Sequence, residues 1–176
     1  MFSVKFSGPA GFGIMEAGRV LGEALNNLGF LVLSYPEYPS RIRGGDNVSQ
    51  ISFSAAHSSP LPEKKNDLLV IFSPENLPLH LNERKENGLL LYNEAERKPL
   101  QYSEAVGIPL DKIAQETAGF FLARNSVAAG VVFGLLRFPL SALKESLQDA
   151  FGTKGEKVVS GNQRAAEEGY KLAVKI

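Results

Sequence analysis

The sequence contains no cysteine and only two histidines, His57 and His80, among its 176 residues. Without cysteine the chain itself can form no disulfide, no thiolate zinc site and no Cys-ligated iron–sulfur cluster. Two histidines are too few for a His-based metal site of their own. An excess of one charge is also missing, since 19 Lys and Arg balance 19 Asp and Glu. That balance removes the basic footprint of a nucleic-acid binder or a polybasic membrane surface. It leaves little self-repulsion against a protein partner. No apolar run approaches the ~18 residues that span a bilayer. Residues 1–6 lead into a glycine loop rather than a long apolar segment, so no signal peptide is expected. Repeats and low-complexity tracts are absent as well. What is present is ordinary globular composition, 44% hydrophobic and 22% charged. One core can bury roughly 70% of the unfolded surface at this length. The expectation is a single α/β domain over residues 1–176, soluble and cytoplasmic, with no redox centre of its own.

Phe2, Val4 and Phe6 alternate with Ser3, Lys5 and Ser7, which predicts an opening strand. Gly8-Pro-Ala-Gly-Phe-Gly13 breaks it, and Ala17, Val20, Leu21, Ala24, Leu25 and Leu28 then recur at helical spacing. Gly29 stands where a helix ends, and Phe30–Leu33 reads as a second, buried strand, completing a strand–helix–strand unit. The stretch from Tyr35 to Asn47 holds Pro36, Pro39, Gly44 and Gly45, so an exposed loop is predicted. Val48–Ser54 predicts a third strand at a sheet edge, Leu68–Phe72 a fourth and Leu89–Tyr92 a fifth, with Ile108 at a short sixth. Leu77–Arg84 fits a short helix, and Asn93–Val106 a connecting loop. The C-terminal third is helical. One helix runs through Val127, Val131 and Leu135 with Asn125 or Ser126 as its cap. A second begins at Pro139, and a last one follows Gly161-Asn162. This order predicts a Rossmann-like three-layer sandwich with a mostly parallel sheet of about five to six strands.

Gly8, Gly11 and Gly13 between a strand and a helix start leave backbone N–H groups bare beside a positive helix dipole, which suits a phosphate. Ile14 and Met15 stand where a P-loop needs Lys and Ser or Thr, so nucleotide hydrolysis is not expected. The G-x-x-G-x-G spacing is not the dinucleotide G-x-G-x-x-G, and Glu37 lies between prolines rather than at a strand end. The glycines can equally serve a tight turn and close helix–strand packing. Arg41 and Arg43, with Gly44 and Gly45 behind them, place guanidinium forks on a proline-stiffened loop where a carboxylate, phosphate or partner chain can approach. His57 and His80 have no Asp or Ser partner by spacing, and both are expected to be structural or on the surface. Residues 83–86 and 94–98 are read as solvated charged faces. Asn125 is read as a cap, with the glycine loop as its other possible neighbour. No nucleophile–base pair can be assembled from the chain.

Gly8-Pro-Ala-Gly-Phe-Gly-Ile-Met-Glu-Ala-Gly18 followed by Tyr35-Pro-Glu-Tyr-Pro-Ser-Arg-Ile-Arg-Gly-Gly45 resembles the gamma subunit or domain of 2-oxoacid:ferredoxin oxidoreductases. The likeness is strongest to the gamma region that begins fused alpha chains acting on 2-oxoglutarate and related acids. It continues through Asp67–Ile71, Ile108–Ala114, Arg124-Asn-Ser-Val127, Gly161-Asn162 and Glu168-Gly-Tyr170. The resemblance implies a complex that decarboxylates a 2-oxoacid such as pyruvate, ketoisovalerate or 2-oxoglutarate on thiamine diphosphate. Electrons would pass through iron–sulfur clusters to ferredoxin and the acyl group to coenzyme A. It implies a non-catalytic, Rossmann-like gamma component that contributes to coenzyme A binding and packs on the thiamine-binding domains. Carried over by motif, Gly8, Gly11 and Gly13 approach a phosphate-bearing ligand or the neighbouring domain, with Phe12 and Asn125 as further candidate cofactor contacts. Arg41, Arg43, Gly44 and Gly45 form the loop facing the catalytic domains. The chain lacks the family's Gly-Asp-Gly thiamine motif and its cluster cysteines, which implies that alpha and beta chains hold those cofactors. It is expected to be inactive alone and to be either a separate gamma subunit or a fragment ending at Ile176. The rival readings are a free-standing nucleotide-binding domain and an assembly or regulatory module.

Overall fold

The alternation of Val4 and Phe6 with Ser3, Lys5 and Ser7 makes the first strand two-faced, and the sheet is built around it. The computed structural model describes residues 1–38, 46–55, 59–94 and 105–175. Within them the strands are β1 (Phe2–Pro9), β2 (Leu31–Glu37), β3 (Asp46–Ser54), β4 (Asn66–Ile71), β5 (Arg84–Asn93) and β6 (Ala105–Ile108). They join in the order β2-β3-β1-β4-β5-β6. The β1–β4, β4–β5 and β5–β6 pairs are parallel, and β3 runs antiparallel to both its neighbours. The sheet is therefore mostly parallel, as expected, with one reversed strand.

The helices are α1 (Ile14–Asn27), the short α2 (Leu77–His80), α3 (Leu110–Ala118), α4 (Arg124–Leu135), α5 (Leu140–Phe151) and α6 (Glu156–Ala173). Val4, Phe6, Ile51, Phe53, Leu68 and Val70 form one face of the sheet and share a core with Leu21, Leu25, Val131, Phe133 and Leu143 of α1, α4 and α5. Phe30, Phe53, Phe133 and Phe138 stack edge-on and tilted in that core, with centroids 5.2–6.1 Å apart. Leu69, Ile71, Leu90 and Tyr92 point the other way and pack on Leu77 of α2. Residues on β4 thus alternate between two cores, the pattern of a strand buried on both faces.

Helix α4 is buried from Arg124 to Gly134. It can be so because α6 lies against it at backbone distance. A Cβ on Gly130 would stand 2.8 Å from the Ala166 carbonyl carbon, and one on Gly134 would stand 2.6 Å from Ala173 Cβ. From the other side, a Cβ on Gly169 would meet the Val127 carbonyl carbon at 2.9 Å. Small residues on both helices allow this approach, and the interior then reaches crystal-like packing density.

Several sequence expectations change, among them the loop expected from Tyr35 to Asn47, whose ends belong to β2 and β3. Phe30–Leu33 does not form a buried strand. Phe30 joins the aromatic cluster, while β2 begins at Leu31, which is 41% exposed at the sheet edge. The expected edge strand, Val48–Ser54, lies instead between β1 and β2. Its polar face is buried between its neighbours, and Gln50 on that face finds a partner while the Ser52 hydroxyl has none among the described residues. Gln50 Nε2 donates to the Glu63 carbonyl at 2.9 Å. The last helix starts at Glu156, not after Gly161-Asn162. Gly161 faces Ala118 and Phe120, so its missing side chain serves packing rather than a helix boundary. Helix α3 carries no sequence expectation of its own. The C-terminal third is helical as anticipated, with Pro139 just before α5. Among the described residues no single helix is long and apolar enough to cross a membrane.

The α4–α6 contact generates a prediction. Gly130→Ala should lower stability by about 3 kcal/mol, because the new methyl must displace backbone rather than a side chain. Urea denaturation checks it, and a loss below about 1 kcal/mol would mean that the two helices can separate freely.

Candidate functional site

The glycine loop leaves the end of β1 and enters α1 through two left-handed residues, Gly11 (φ 89°) and Gly13 (φ 76°). Both conformations favour glycine, and Gly13 caps α1 with no side-chain acceptor. The first N–H groups of α1 therefore stand at the positive end of the helix dipole with no side-chain cap among the described residues. Gly8 plays another part. A Cβ there would stand 2.8 Å from Phe72 Cβ and 2.9 Å from Ile14 Cδ1, so it lets the helix start settle on β4.

The loop is held from α4. Asn125 Nδ2 donates to the Phe12 carbonyl at 2.9 Å. The Arg124 guanidinium lies 4.5 Å from the Phe12 ring centroid, and its Nη1 is 2.9 Å from Asp111 Oδ1. Burial lowers the Arg124 pKa, against the attraction of Asp111. Arg124 and Asn125 thus fix the ring and the carbonyl of one loop residue. Asn125 is not the helix cap expected from sequence, because α4 begins one residue earlier and its side chain crosses to the loop. Its Oδ1 is buried and has no hydrogen-bond partner among the described residues.

Between this loop and the C-terminal helices lies a cleft of about 540 Å³. Gly11, Gly13 and Asn125 line one side, and Phe120, Phe151 and Lys154 stand on the other. The volume suits a small-molecule or cofactor segment. Lys154 brings a cation to the wall, 5.0 Å from the Phe151 ring. Glu16, in the first turn of α1, is drawn to Arg19, whose Nη2 lies 2.6 Å away. Asn162 forms part of the floor and accepts from Ser126 Oγ at 2.7 Å. A second groove, about 590 Å³, runs between α1 and β2. No side chain described in its lining has a buried polar atom left unsatisfied, so the glycine-loop cleft is the better candidate.

Of the residues singled out in the sequence, Gly11, Gly13 and Asn125 meet at this cleft. Gly8 and Phe12 lie behind it, taken up by packing and by Arg124. Arg41, Arg43, Gly44, Gly45 and His57 lie outside the described residues. Sequence reasoning missed Phe120, Phe151, Lys154 and Asn162. Asn162 carried a signal, a polar residue at helical spacing from Val158, Val159, Ala165 and Ala166. His80, with no Asp or Ser partner by spacing, gains Ser7 and Asp46 through the fold and also meets Glu83 three residues on. Glu83 and Lys85, expected on a solvated face, sit in ion pairs with Lys5 at 3.0 Å and Asp67 at 2.8 Å.

The two left-handed glycines can be separated by mutation. Gly11→Ala meets nothing within 4 Å and should cost about 1 kcal/mol of backbone strain alone. Gly13→Ala would push its methyl into the Asn125 amide and should cost about 1–3 kcal/mol more through the lost hydrogen bond. In an Asn125→Ala background the extra cost should vanish, and thermal unfolding of the double-mutant cycle reads it.

The family model described as pyruvate ferredoxin/flavodoxin oxidoreductase matches residues 3–172. Ketoisovalerate oxidoreductase subunit VorA of Methanothermobacter marburgensis is 26% identical over 176 residues, 98% of this chain and 36% of that protein. The structure of 2-oxoglutarate:ferredoxin oxidoreductase from Magnetococcus marinus, with 2-oxoglutarate, coenzyme A and succinyl-CoA bound, superposes with a TM-score of 0.85 at 24% identity. It covers 99% of this chain and 31% of that one. The keto/oxoacid ferredoxin oxidoreductase gamma subunit from Geobacter sulfurreducens superposes with a TM-score of 0.78 at 22% identity, over 100% of both chains. The chain thus spans about a third of the first two and all of the third. With nearly every residue matched by the family model, the chain belongs to the pyruvate ferredoxin/flavodoxin oxidoreductase family.

Proposed function

We propose that this chain is the non-catalytic gamma component of a 2-oxoacid:ferredoxin oxidoreductase complex and that its glycine-loop cleft takes part of coenzyme A. The observation that carries the ligand reading is the cleft itself. The start of α1, which has no side-chain cap among the described residues, an Asn125 Oδ1 with no partner among those residues and the Lys154 ammonium surround one space of ligand size. A diphosphate fits the loop end, where the helix dipole and Gly13 favour an anion. Phe120 and Phe151 offer apolar walls to the parts of the ligand that follow. The full-length likeness to a gamma subunit and the coenzyme A named for the Magnetococcus enzyme support the same reading.

In this reading the chain binds and orients, and chemistry belongs to its partners. Coenzyme A, when bound, supplies the thiol that accepts the acyl group. The chain has no cysteine to hold an iron–sulfur cluster. Among the described residues no cluster of His, Asp and Glu could hold a metal. Thiamine diphosphate and the clusters are accordingly assigned to alpha and beta chains in a cytoplasmic complex, with ferredoxin reached through them. By their motif, Arg41, Arg43, Gly44 and Gly45 are assigned to contact with those chains, and Arg43 to a charged hydrogen bond with the ligand.

Co-expression with alpha and beta chains tests this. Omitting the chain should abolish coenzyme-A-dependent oxidation of the 2-oxoacid. Arg43→Ala should raise the KM for coenzyme A roughly tenfold or more, the worth of one charge-assisted hydrogen bond. Full activity without the chain, or an unchanged coenzyme A dependence in the variant together with no binding to the chain, would sink the proposal.

A further inference from the structure

Beneath the glycine loop, on the face of the sheet away from α1, a chain of buried polar groups ties four segments together. His80 Nδ1 lies 2.6 Å from Glu83 Oε2, and Lys5 Nζ reaches the same oxygen at 3.0 Å. His80 Nε2 is 2.8 Å from Ser7 Oγ and 3.5 Å from Asp46 Oδ2. Ser7 Oγ donates to Asp46 Oδ2 at 2.8 Å, and Asn76 Nδ2 donates to Asp46 Oδ1 at 2.5 Å. Ser7 and His80 are buried, as are Lys5 and the Asp46 side chain. Serine, histidine and acid in line resemble a hydrolytic triad. The hydroxyl, however, is fully buried and its proton is given to Asp46, so it cannot act as a nucleophile.

The charges show what the arrangement does instead. Lys5 and His80 oppose Asp46 and Glu83, so the cluster is neutral only while the imidazole is protonated. With both ring nitrogens protonated, Nδ1 donates to Glu83 and Nε2 to Ser7, leaving the Ser7 proton for Asp46. When the ring loses a proton and keeps Nδ1–H for Glu83, Nε2 must accept. The Ser7 hydroxyl then turns toward it and Asp46 loses a donor. Ser7 directly precedes Gly8, while Asp46 pairs with Pro9 and precedes Asn47, which lines the cleft.

We infer that His80 is a pH-sensitive positioning residue: as an imidazolium it clasps the end of β1 to the start of β3 and so fixes the base of the Gly8–Gly13 loop. Burial disfavours the charged ring, yet the hydrogen bonds to Asp46 and Glu83 outweigh it and raise the His80 pKa. The Asp46 and Glu83 carboxyls are lowered despite their burial, chiefly by His80 and by Ser7 or Lys5. A raised histidine pKa stabilises the fold fully below the ordinary value of about 6.5, and that contribution is lost as pH rises through the raised value. The lowered carboxyls contribute above their ordinary range and lose their share on acidification.

The full chain is titrated by NMR, following the His80 ring and the hydrogen-exchange protection of the β1–β3 ladder at Gly8 and Asn47. His80 should titrate above about 6.5, and Asp46→Asn should lower its pKa. Ladder protection should fall as pH passes through that pKa in the native chain and stay level in His80→Gln. An imidazole titrating at or below the ordinary value overturns the inference without any variant. So does protection that ignores pH in native chain and variant alike. The consequence for the ligand rests on the coenzyme A reading and is measured separately. Coenzyme A affinity should fall roughly fivefold over the same titration. Constant affinity overturns the coupling to the cleft. No binding at any pH, with the ladder still responding, supports the clasp and overturns the coenzyme A reading.

Discussion

The close approach of α4 and α6 is the constraint on which the other features depend. Gly130 and Gly134 on one helix and Ala166, Gly169 and Ala173 on the other let the two backbones meet where side chains usually intervene. α4 is thereby sunk between the sheet and α6, with no solvent face along Arg124–Gly134. A helix held so tightly makes a rigid post. Its first two residues, Arg124 and Asn125, reach the glycine loop with little freedom to miss it.

Two polar systems grip that loop from opposite sides of the sheet. On the α1 side, a guanidinium–ring contact and an amide–carbonyl hydrogen bond set the shape of residues 12 and 13. On the other side, the cluster of Lys5, Ser7, Asp46, His80 and Glu83 secures the strand ends from which the loop departs. Both are buried, so their hydrogen bonds act in a low dielectric, and removing one partner leaves a group without solvation. Of the groups that shape the loop between them, Asn125 also lines the cleft, while the Arg124 contact and the His80 cluster lie outside it.

The resulting cleft is asymmetric. One wall is backbone and amide, suited to an anion; the other is aromatic with a lysine beside it. Such a surface can hold and orient a ligand, and it brings together no nucleophile and base. This division matches a family in which members differ in their named substrates while this domain keeps its fold at 22–26% identity.

Much of this was legible in sequence. Alternation marked β1, helical spacing marked α1, and the glycine spacing marked a loop between them, because these signals are local and repeat over a few residues. The G-x-x-G-x-G loop together with the tyrosine–proline–arginine–glycine segment also carried the family resemblance. Other features could not be read locally. The places of β2 and β3 were exchanged because strand order depends on pairing partners far apart in sequence, and a polar strand can be central where a group such as Gln50 finds a partner. Asn125 read as a cap because its partner, the Phe12 carbonyl, lies 113 residues away, and the His80 contact with Ser7 spans 73 residues. The sequence by itself determined β1, α1 and the helical C-terminal third, the conformational freedom of Gly11 and Gly13 and the lack of any cysteine ligand. Only the tertiary structure decided which polar groups meet, because a buried donor or acceptor finds its partner through the packing of distant segments, not through spacing along the chain.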